Sequence, residues 1–272
     1  MAINRKHYFL PVIIGVWIFA NYYVSSSSRS RASSPHAKAE FGSGKMFDKF
    51  ADYYDTGNWF MSLGQDQKWR DAMLFEADVG IGDTLLDLAT GSADVAIAAK
   101  SKFNATSVVG LDPSVEMLRV GRAKIGDMGL KNIELVVGDA QAMPEFSPGQ
   151  FSKITMSFGI RNVPDRLKAL KEMRRVISEK SNSRLAIMEF SAPSPDTVWG
   201  YTAKLFVRYV VPVIGGIISS ATDEYQYLEE SIFKFPEPEA FEAIIESAGF
   251  RMVKRTSFVA GVVNIYIAEP KI

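Results

Sequence analysis

The sequence predicts an α/β protein whose core is a Rossmann-like, doubly wound sheet. Between residues 84 and 190, short apolar segments alternate with amphipathic segments of helical period. The first apolar segment runs into a turn of small residues, and the next one ends on Asp112. Strands that alternate with helices pair in parallel, because each crossover helix returns the chain to the same edge of the sheet.

The predicted strands are short apolar runs, most of them bounded by Gly, Asp, Asn or Ser. Five of them lie in the alternating region, at 84–89, 107–111, 133–137, 151–158 and 184–190. Two more, at 250–256 and 262–268, close the chain.

The predicted helices are segments in which apolar residues recur every three or four positions. Two of them, 46–55 and 65–78, precede the sheet, and 93–103, 114–125 and 166–178 connect its strands. A helix at 238–248 leads into the last two strands. The outer face of 166–178 is rich in Lys and Arg, which suits either solvent or a protein partner.

We expect two regions in the chain. Residues 1–40 form a hydrophobic anchor or targeting segment with a Ser/Arg-rich linker, and residues 41–272 form the α/β domain. Within that domain, residues 197–235 are a helical insertion that the sheet does not require. Its apolar part contains Lys204, Arg208 and Pro212, so we expect it to cover a hydrophobic pocket rather than to span a membrane.

The N-terminal segment has three interpretations. Residues 7–24 carry no full charge, and a membrane span needs roughly 20 apolar residues. The segment is therefore either a single-pass anchor, a targeting segment for an organelle such as a mitochondrion or plastid, or an amphipathic or disordered tail.

The composition excludes several kinds of chemistry. The chain has no Cys, and its only histidines, His7 and His36, lie in the N-terminal region. The α/β domain therefore has no thiol nucleophile, no imidazole base and no ordinary zinc site. The net charge is zero, with five basic residues and one acidic residue in 1–40. The remainder is mildly acidic, which argues against nucleic-acid binding.

The turn after the first strand predicts a nucleoside cofactor. It follows Asp87 and includes Ala89 and Gly91, and Asp94 opens the next helix. A dinucleotide requires three spaced glycines and a helix N-terminus open to pyrophosphate, whereas Asp94 places a carboxylate there. S-adenosylmethionine (SAM) has no phosphate and carries two cationic groups, so SAM is favoured over NAD. Capping of the helix is the alternative role of Asp94.

Two further acidic positions lie at predicted strand ends. Asp112 is placed to accept hydrogen bonds from both ribose hydroxyls, with a turn before Pro113 as the alternative role. Asp139 and Ala140 end the third strand, where we expect a contact with the adenine amino group; a plain turn is the alternative. Together with the first turn, these residues form the expected cofactor site.

Four motifs resemble the ubiquinone/menaquinone-biosynthesis C-methyltransferase family. The resemblance covers roughly residues 46–268. Its most specific parts are the run 50–64 with Trp69-Arg70, the turn 86–94, the run Ser157-Phe-Gly-Ile-Arg-Asn-Val163 with the helix 169–176, and the run 225–236. The resemblance identifies the α/β domain as a SAM-dependent methyltransferase of class I fold.

The resemblance implies transfer of a methyl group from SAM to a ring carbon of a polyprenylated benzoquinol or naphthoquinol. It implies that SAM contacts the turn 89–91, Asp112, Asp139-Ala140 and Ser157. It also implies that Arg161, Asn162 and Tyr225 face the quinol, and that the insertion covers the isoprenoid tail. Tyr54 and Asn58 belong to the entry motif and are candidate substrate contacts, with packing and capping as their alternative role.

The chemistry of the expected reaction assigns catalytic candidates. A quinol carbon becomes nucleophilic when the neighbouring hydroxyl loses its proton, and a phenol has a pKa near ~10. Arg161 is the candidate for stabilising the oxyanion, with Asn162 as a donor. The proton acceptor is a carboxylate such as Asp66 or a water held by Arg161, and no metal is required. An ion pair with Asp165 is the alternative role of Arg161.

Two departures from the family pattern affect the cofactor turn. Ala93 stands where the family usually has the second glycine of Gly-x-Gly, and Ala89 stands where it often has Thr. We expect the Ala93 methyl group to approach the amino-acid end of the cofactor and to weaken binding.

Two other functions remain open at this point. One is a SAM methyltransferase for another lipophilic acceptor, and the other is a non-catalytic, membrane-tethered scaffold of a quinone-synthesis complex. The expected partners are a lipophilic quinol and a membrane, with a homodimer or a quinone-synthesis complex as candidate assemblies. No nucleic-acid partner is expected.

Overall fold

The sheet at the centre of the molecule has seven strands. The computed structural model describes residues 48, 51, 62, 64–192 and 231–271. The strands are β1 Thr84–Leu88, β2 Ser107–Asp112, β3 Ile133–Val137, β4 Lys153–Ser157, β5 Arg184–Phe190, β6 Phe250–Phe258 and β7 Val263–Pro270. Their order across the sheet is β3-β2-β1-β4-β5-β7-β6.

The first five strands are parallel, as the sequence predicts. The chain winds outwards from β1 to β3, then returns to the other side of β1 and continues through β4 to β5. The strand order therefore reverses between β1 and β4, where Asp87 lies opposite Thr155. In open α/β sheets, ligands bind in the crevice beyond the carboxyl ends of the strands at this reversal.

The last two strands form an antiparallel hairpin. The strand β7 pairs antiparallel with both β5 and β6. It therefore lies between them, and β6 is the edge strand of the sheet. The short 3₁₀ turn Val259–Gly261 connects β6 to β7, and a connection of that length can join only antiparallel neighbours. The predicted doubly wound class I sheet is confirmed, with this hairpin as its edge.

Five α-helices with defined bounds lie in the described ranges, and they pack on two faces of the sheet. They are α1 Asp66–Glu76, α2 Asp94–Ser101, α3 Val115–Asp127, α4 Arg166–Val176 and α5 Pro238–Ser247, with the single-turn 3₁₀ helix Ile160–Asn162 beside them. The apolar faces of α1 and α2 pack on one side, with Leu85 and Val108 of the sheet. Those of α4 and α5 pack on the other, with Leu86 and Ile154. The two apolar layers hold β1 and β4 in the middle of the molecule.

The basic face of α4 is used within the molecule. Arg174 donates to the carbonyl oxygens of Gly249 and Lys271, at 3.1 and 2.8 Å. Arg175 donates to those of Phe146 and Met143, each at 2.7 Å. These two arginines tie α4 to the loops on either side, so at least this part of the basic face is structural.

Several predicted segments lie outside the described residues. They are the N-terminal region 1–40, nearly all of the entry helix 46–55, and most of the insertion 197–235. Within the described ranges, no helix is long and apolar enough to cross a membrane.

Candidate functional site

The turn between β1 and α2 has a left-handed backbone at three positions. The φ angles of Ala89, Gly91 and Ala93 are +49°, +56° and +67°. Only Gly adopts such angles without a steric penalty, which is roughly 1–2 kcal/mol for other residues. Strained backbone persists where the surroundings fix it, and it concentrates at ligand sites.

Three glycines on neighbouring elements make room for the side chains of this turn. A Cβ atom added to Gly159 would lie 2.5 Å from the Cβ of Ala89, and one added to Gly110 would lie 2.8 Å from Oγ1 of Thr90. One added to Gly121 of α3 would lie 3.1 Å from the Cβ of Ala93. Each of these three side chains of the turn therefore packs against a glycine of a neighbouring segment.

The structure revises the expectation for Ala93. Its side chain is fully buried, and the methyl group lies against Gly121 of α3. The left-handed φ angle directs the Cβ atom towards this helix. The methyl group of Ala93 therefore fits because α3 has a glycine, Gly121, at the point where the two backbones approach each other.

Asp112 connects the end of β2 to the cofactor turn. Its Oδ2 accepts from the backbone N–H of Gly91 at 2.9 Å, and its Oδ1 accepts from that of Ser114 at 2.8 Å. Burial raises the pKa of this carboxyl to about 6, an effect that the two backbone donors oppose. The carboxylate therefore closes the turn before Pro113, which is its alternative role, and also fixes Gly91. Its remaining lone pairs can accept from a ligand.

Asp87, in β1, holds the turn through a hydrogen bond from Thr90. The side chain is almost completely buried, and its two oxygens accept from the hydroxyls of Thr90 and Thr155, at 2.6 and 2.7 Å. Burial raises the pKa of Asp87 to about 7. Its contacts join the turn, β1 and β4, so Asp87 acts on the backbone of the predicted site.

A cluster of opposite charges lies beside the turn. Asp94 is ion-paired with Lys124 of α3 and lies 3.8 Å from Nη1 of Arg70. Arg70 is also ion-paired with Asp66, which accepts from the hydroxyl of Ser62 at 2.8 Å. From the sequence we expected the carboxylate of Asp94 beside the turn, and the structure places acidic and basic groups together there.

The remaining cofactor candidates lie at the ends of β3 and β4. Asp139 is exposed and accepts from the backbone N–H of Gln141 at 2.9 Å, which is the turn alternative. Ala140 is buried next to it. The hydroxyl oxygen of Ser157, at the end of β4, is buried and has no hydrogen-bond partner.

Arg161 lies in the 3₁₀ turn Ile160–Asn162, directly after β4. Its partner is not Asp165, which caps α4 by accepting from the N–H of Lys168. Instead Nη1 donates to Glu189 and to the carbonyl oxygen of Phe158, at 2.7 Å in each case. Nε of Arg161 is buried and has no hydrogen-bond partner.

Asn162 follows Arg161 in the same turn, and its backbone N–H donates to the carbonyl oxygen of Gly159 at 3.0 Å. The turn therefore places Arg161 and Asn162 next to Gly159, which packs against Ala89 of the cofactor turn. The other substrate candidates, Tyr54, Asn58 and Tyr225, lie outside the described residues.

Comparison with known proteins decides the family. Residues 36–269 match the ubiE/COQ5 methyltransferase family. The chain belongs to this family. It is 37% identical to the ubiquinone/menaquinone biosynthesis C-methyltransferase UbiE of Geotalea uraniireducens, over 83% of this chain and 94% of that protein. It is also 37% identical to the demethylmenaquinone methyltransferase of Bacillus subtilis, over 82% of this chain and 94% of that protein.

The fold agrees with solved methyltransferases. A SAM-dependent methyltransferase from Aquifex aeolicus superposes with a TM-score of 0.53 at 20% identity, covering 73% of this chain and 88% of that one. As a member of the ubiE/COQ5 family, the chain is a methyltransferase that uses SAM. The predictions of family, enzyme class and cofactor are confirmed.

The residues around the turn fit SAM chemically. The amino-acid end of SAM carries both an ammonium and a carboxylate, and the cluster of Asp66, Arg70, Asp94 and Lys124 carries both signs of charge. Each carboxylate oxygen of Asp112 accepts one backbone N–H, which leaves lone pairs that suit the hydroxyls of a ribose. Within the described residues, no group of three or more His, Asp or Glu side chains could hold a metal ion.

Sequence reasoning missed three charged residues of this ubiE/COQ5 site. Arg70 was noted only as part of the entry motif, and Lys124 and Glu189 were not singled out. Each contacts a residue at least 24 positions away, namely Asp94 or Arg161. The only local signal was an ionisable residue inside or next to an apolar run, which is strongest for Glu189 in β5.

Proposed function

We propose that this protein transfers a methyl group from SAM to a ring carbon of a polyprenylated benzoquinol or naphthoquinol. The names of its relatives, UbiE and demethylmenaquinone methyltransferase, support the acceptor class. The observation that carries the proposal is the position of Arg161. Its guanidinium is buried, and Nε has no hydrogen-bond partner. The 3₁₀ turn that holds it adjoins Gly159, which packs against Ala89 of the cofactor turn. A quinol that ionises beside the cofactor needs a cation there.

The cofactor side of the proposal uses the turn and the strand ends. Asp112 accepts from the ribose hydroxyls, while Asp139 and Ala140 face the adenine. The turn at Ala89 and Gly91, together with Ser157, approaches the methionine part, and Asp87 holds the turn in place. Asp94 and Arg70 contact its ammonium and carboxylate, respectively. When bound, SAM supplies an electrophilic methyl group on a sulfonium sulfur.

The acceptor side uses Arg161 and Asn162. Arg161 stabilises the quinolate oxygen that forms when the hydroxyl is deprotonated, and Asn162 donates a hydrogen bond. Asp66 can take the proton only if its ion pair with Arg70 opens. A water held by Arg161 can take it without that change. Tyr54, Asn58 and Tyr225 complete the quinol site in this proposal.

The segments outside the described residues have roles that follow from the substrate. A polyprenylated quinol resides in a bilayer, and attachment of the enzyme to the same surface raises its effective concentration. We assign this attachment to residues 7–24, and coverage of the isoprenoid tail to residues 197–235. The enzyme then acts at the surface of a membrane.

The test is a transfer assay with the full-length protein in mild detergent. The protein is incubated with SAM that carries a deuterated methyl group and with reduced demethylmenaquinone of short tail. Mass spectrometry and NMR of the product should place the labelled methyl group on the ring carbon. A label on oxygen, or no label with this or a benzoquinol acceptor while SAM binds, contradicts the proposal.

A further inference from the structure

Glu189 lies fully buried at the end of β5, beside Arg161. Its Oε1 accepts from Nη1 of Arg161 at 2.7 Å and from the backbone N–H of Phe190 at 2.8 Å. Its Oε2 accepts from the backbone N–H of Arg161 at 3.1 Å. A buried carboxylate is destabilising unless it is paired and hydrogen-bonded, and both oxygens of Glu189 meet that requirement.

Arg161 is held on one side only. Nη1 donates to Glu189 and to the carbonyl oxygen of Phe158, and the guanidinium carbon lies 5.5 Å from the ring centre of Phe190. Nε has no acceptor, although leaving a buried donor unpaired costs about 1–3 kcal/mol. The held edge fixes the guanidinium, and Nε keeps a hydrogen-bonding capacity that no acceptor among the described residues uses.

The surrounding backbone strengthens this arrangement. Phe158 has a φ angle of +56°, which is unusual for an aromatic residue, and its ring stacks on Phe190 with centroids 4.4 Å apart. Arg166, at the start of α4, donates to the carbonyl oxygens of Ile160 and Arg161 at 3.3 and 3.1 Å. Among the described residues, Glu189 is the only carboxylate that accepts a hydrogen bond from Arg161.

We infer that Glu189 is a positioning residue for methyl transfer, fixing Arg161 so that its free edge meets the quinol oxygen. The inference rests on the proposed function. Glu189 has no contact with the acceptor, since it is buried and both oxygens are occupied. It acts by setting the location and rotation of the guanidinium, and a displacement of about 1 Å in such a group can lower a rate by about 100-fold.

The test is a double-mutant cycle on kcat for a short-tailed demethylmenaquinol. Glu189→Gln places an amide N–H₂ against backbone or guanidinium donors, so Arg161 shifts; we expect kcat to fall about 10- to 100-fold with SAM affinity unchanged. Arg161→Ala should lower kcat by at least as much. If Glu189 acts through Arg161, the double variant should match Arg161→Ala within about threefold.

A second measurement does not depend on turnover. With S-adenosylhomocysteine present, the absorbance of bound 4-methoxy-1-naphthol reports its ionisation. In the wild-type protein the pKa of the bound phenol should lie below its value in water, and Glu189→Gln should move it back towards that value. Glu189→Asp, which keeps the charge but shortens the side chain, should shift it in the same direction and serves if the Gln variant does not fold.

The matched control is Glu172→Gln. Glu172 also pairs with an arginine, Arg175 at 2.8 Å, and accepts from a backbone N–H, that of Met143. It lies on α4, so its loss should lower stability and leave kcat and the phenol pKa unchanged.

Three results separate the failures. If kcat of Glu189→Gln stays within twofold of the wild-type value, the positioning role is overturned while the proposed function stands. Losses that multiply in the double variant overturn it as well. A wild-type protein that binds SAM but methylates no quinol overturns the proposed function, and the role of Glu189 with it.

Discussion

At the scale of single residues, the cofactor turn is explained by what lies opposite each side chain. Ala89 and Ala93 occupy left-handed conformations that favour glycine, yet each methyl group lies against a glycine of another element. The sequence shows the two alanines but not their partners, because Gly121 and Gly159 approach the turn only in the folded sheet. The effect of Ala93 on the cofactor was therefore not predictable from its identity alone.

The Ala89–Gly159 contact gives a prediction for stability. Gly159→Ala should destabilise the protein by roughly 1–3 kcal/mol, because the added Cβ would lie 2.5 Å from that of Ala89. Ala89→Gly in the same chain should recover part of that loss, since the opposing methyl group is gone. Urea unfolding of the two single variants and the double variant measures the coupling. Strictly additive effects would show that the methyl groups do not meet.

The pKa of Asp112 gives a prediction for cofactor binding. Its carboxyl has a pKa of about 6 in the free protein, and the ribose hydroxyls need an ionised acceptor. SAM affinity should therefore be constant above pH 7 and weaken by up to about tenfold per pH unit below 6. Calorimetry between pH 5 and 8 measures the change, with Asp112→Asn as the control. A wild-type profile as flat as that of the variant would refute the role of Asp112.

At the scale of elements, the sequence pattern was a reliable guide to strands and a poor guide to their order at the edge. The strands β3 and β5 have the predicted bounds, because each is a short apolar run between clear turn residues. The position of β7 between β5 and β6 depends on a hairpin that is far from β5 in sequence, since β5 ends at Phe190 and β6 begins at Phe250. Pairs such as Arg161–Glu189 depend on the same sheet geometry, so no local pattern predicts them.

The buried Asp87 between β1 and β4 gives a prediction for stability against pH. Its pKa is raised from 3.8 to about 7 on folding, so the folded state keeps this proton to higher pH than the unfolded state. Its contribution to stability is complete below pH 3.8 and is lost as the pH rises through 7. Asp87→Asn should remove that loss, which is on the order of 1 kcal/mol per pH unit.

Urea unfolding of both proteins between pH 5 and 8 tests this. The free energy of unfolding of the wild type should decline relative to that of Asp87→Asn over this interval. The neutral amide can still bond to Thr90 and Thr155, whose hydroxyls both donate and accept. Parallel pH profiles for the two proteins would mean that Asp87 does not carry the buried charge.

At the scale of the whole molecule, the described domain brings the turn after β1 and the buried guanidinium of Arg161 together, beside the crevice expected between β1 and β4. Membership of the ubiE/COQ5 family accounts for this arrangement. The N-terminal region and the insertion add the expected link to a lipophilic substrate. Composition and hydropathy indicated these segments from the sequence, whereas their role depends on the substrate that the crevice accepts.

The membrane attachment proposed for residues 7–24 gives a prediction for the intact protein. Full-length protein should float with liposomes of phosphatidylcholine and phosphatidylglycerol in a density gradient. Ile14→Arg should reduce the bound fraction several-fold, because a central arginine costs roughly 2.5–3.5 kcal/mol in an apolar segment. Ser27→Arg, in the adjacent polar linker, is the matched control and should float like the wild type. Equal flotation of all three would reject residues 7–24 as the attachment.

We propose that SAM binds at the turn between β1 and α2, with Asp112 as the acceptor for its ribose hydroxyls. The direct measurement is calorimetric titration of SAM into the full-length protein, Asp112→Ala and the control Asp71→Ala at pH 7.5. Asp71 is a partly exposed aspartate whose partner is Lys102. We predict one site per chain with micromolar affinity in the wild type and control, and its loss in Asp112→Ala. Equal binding by all three folded proteins would contradict the account.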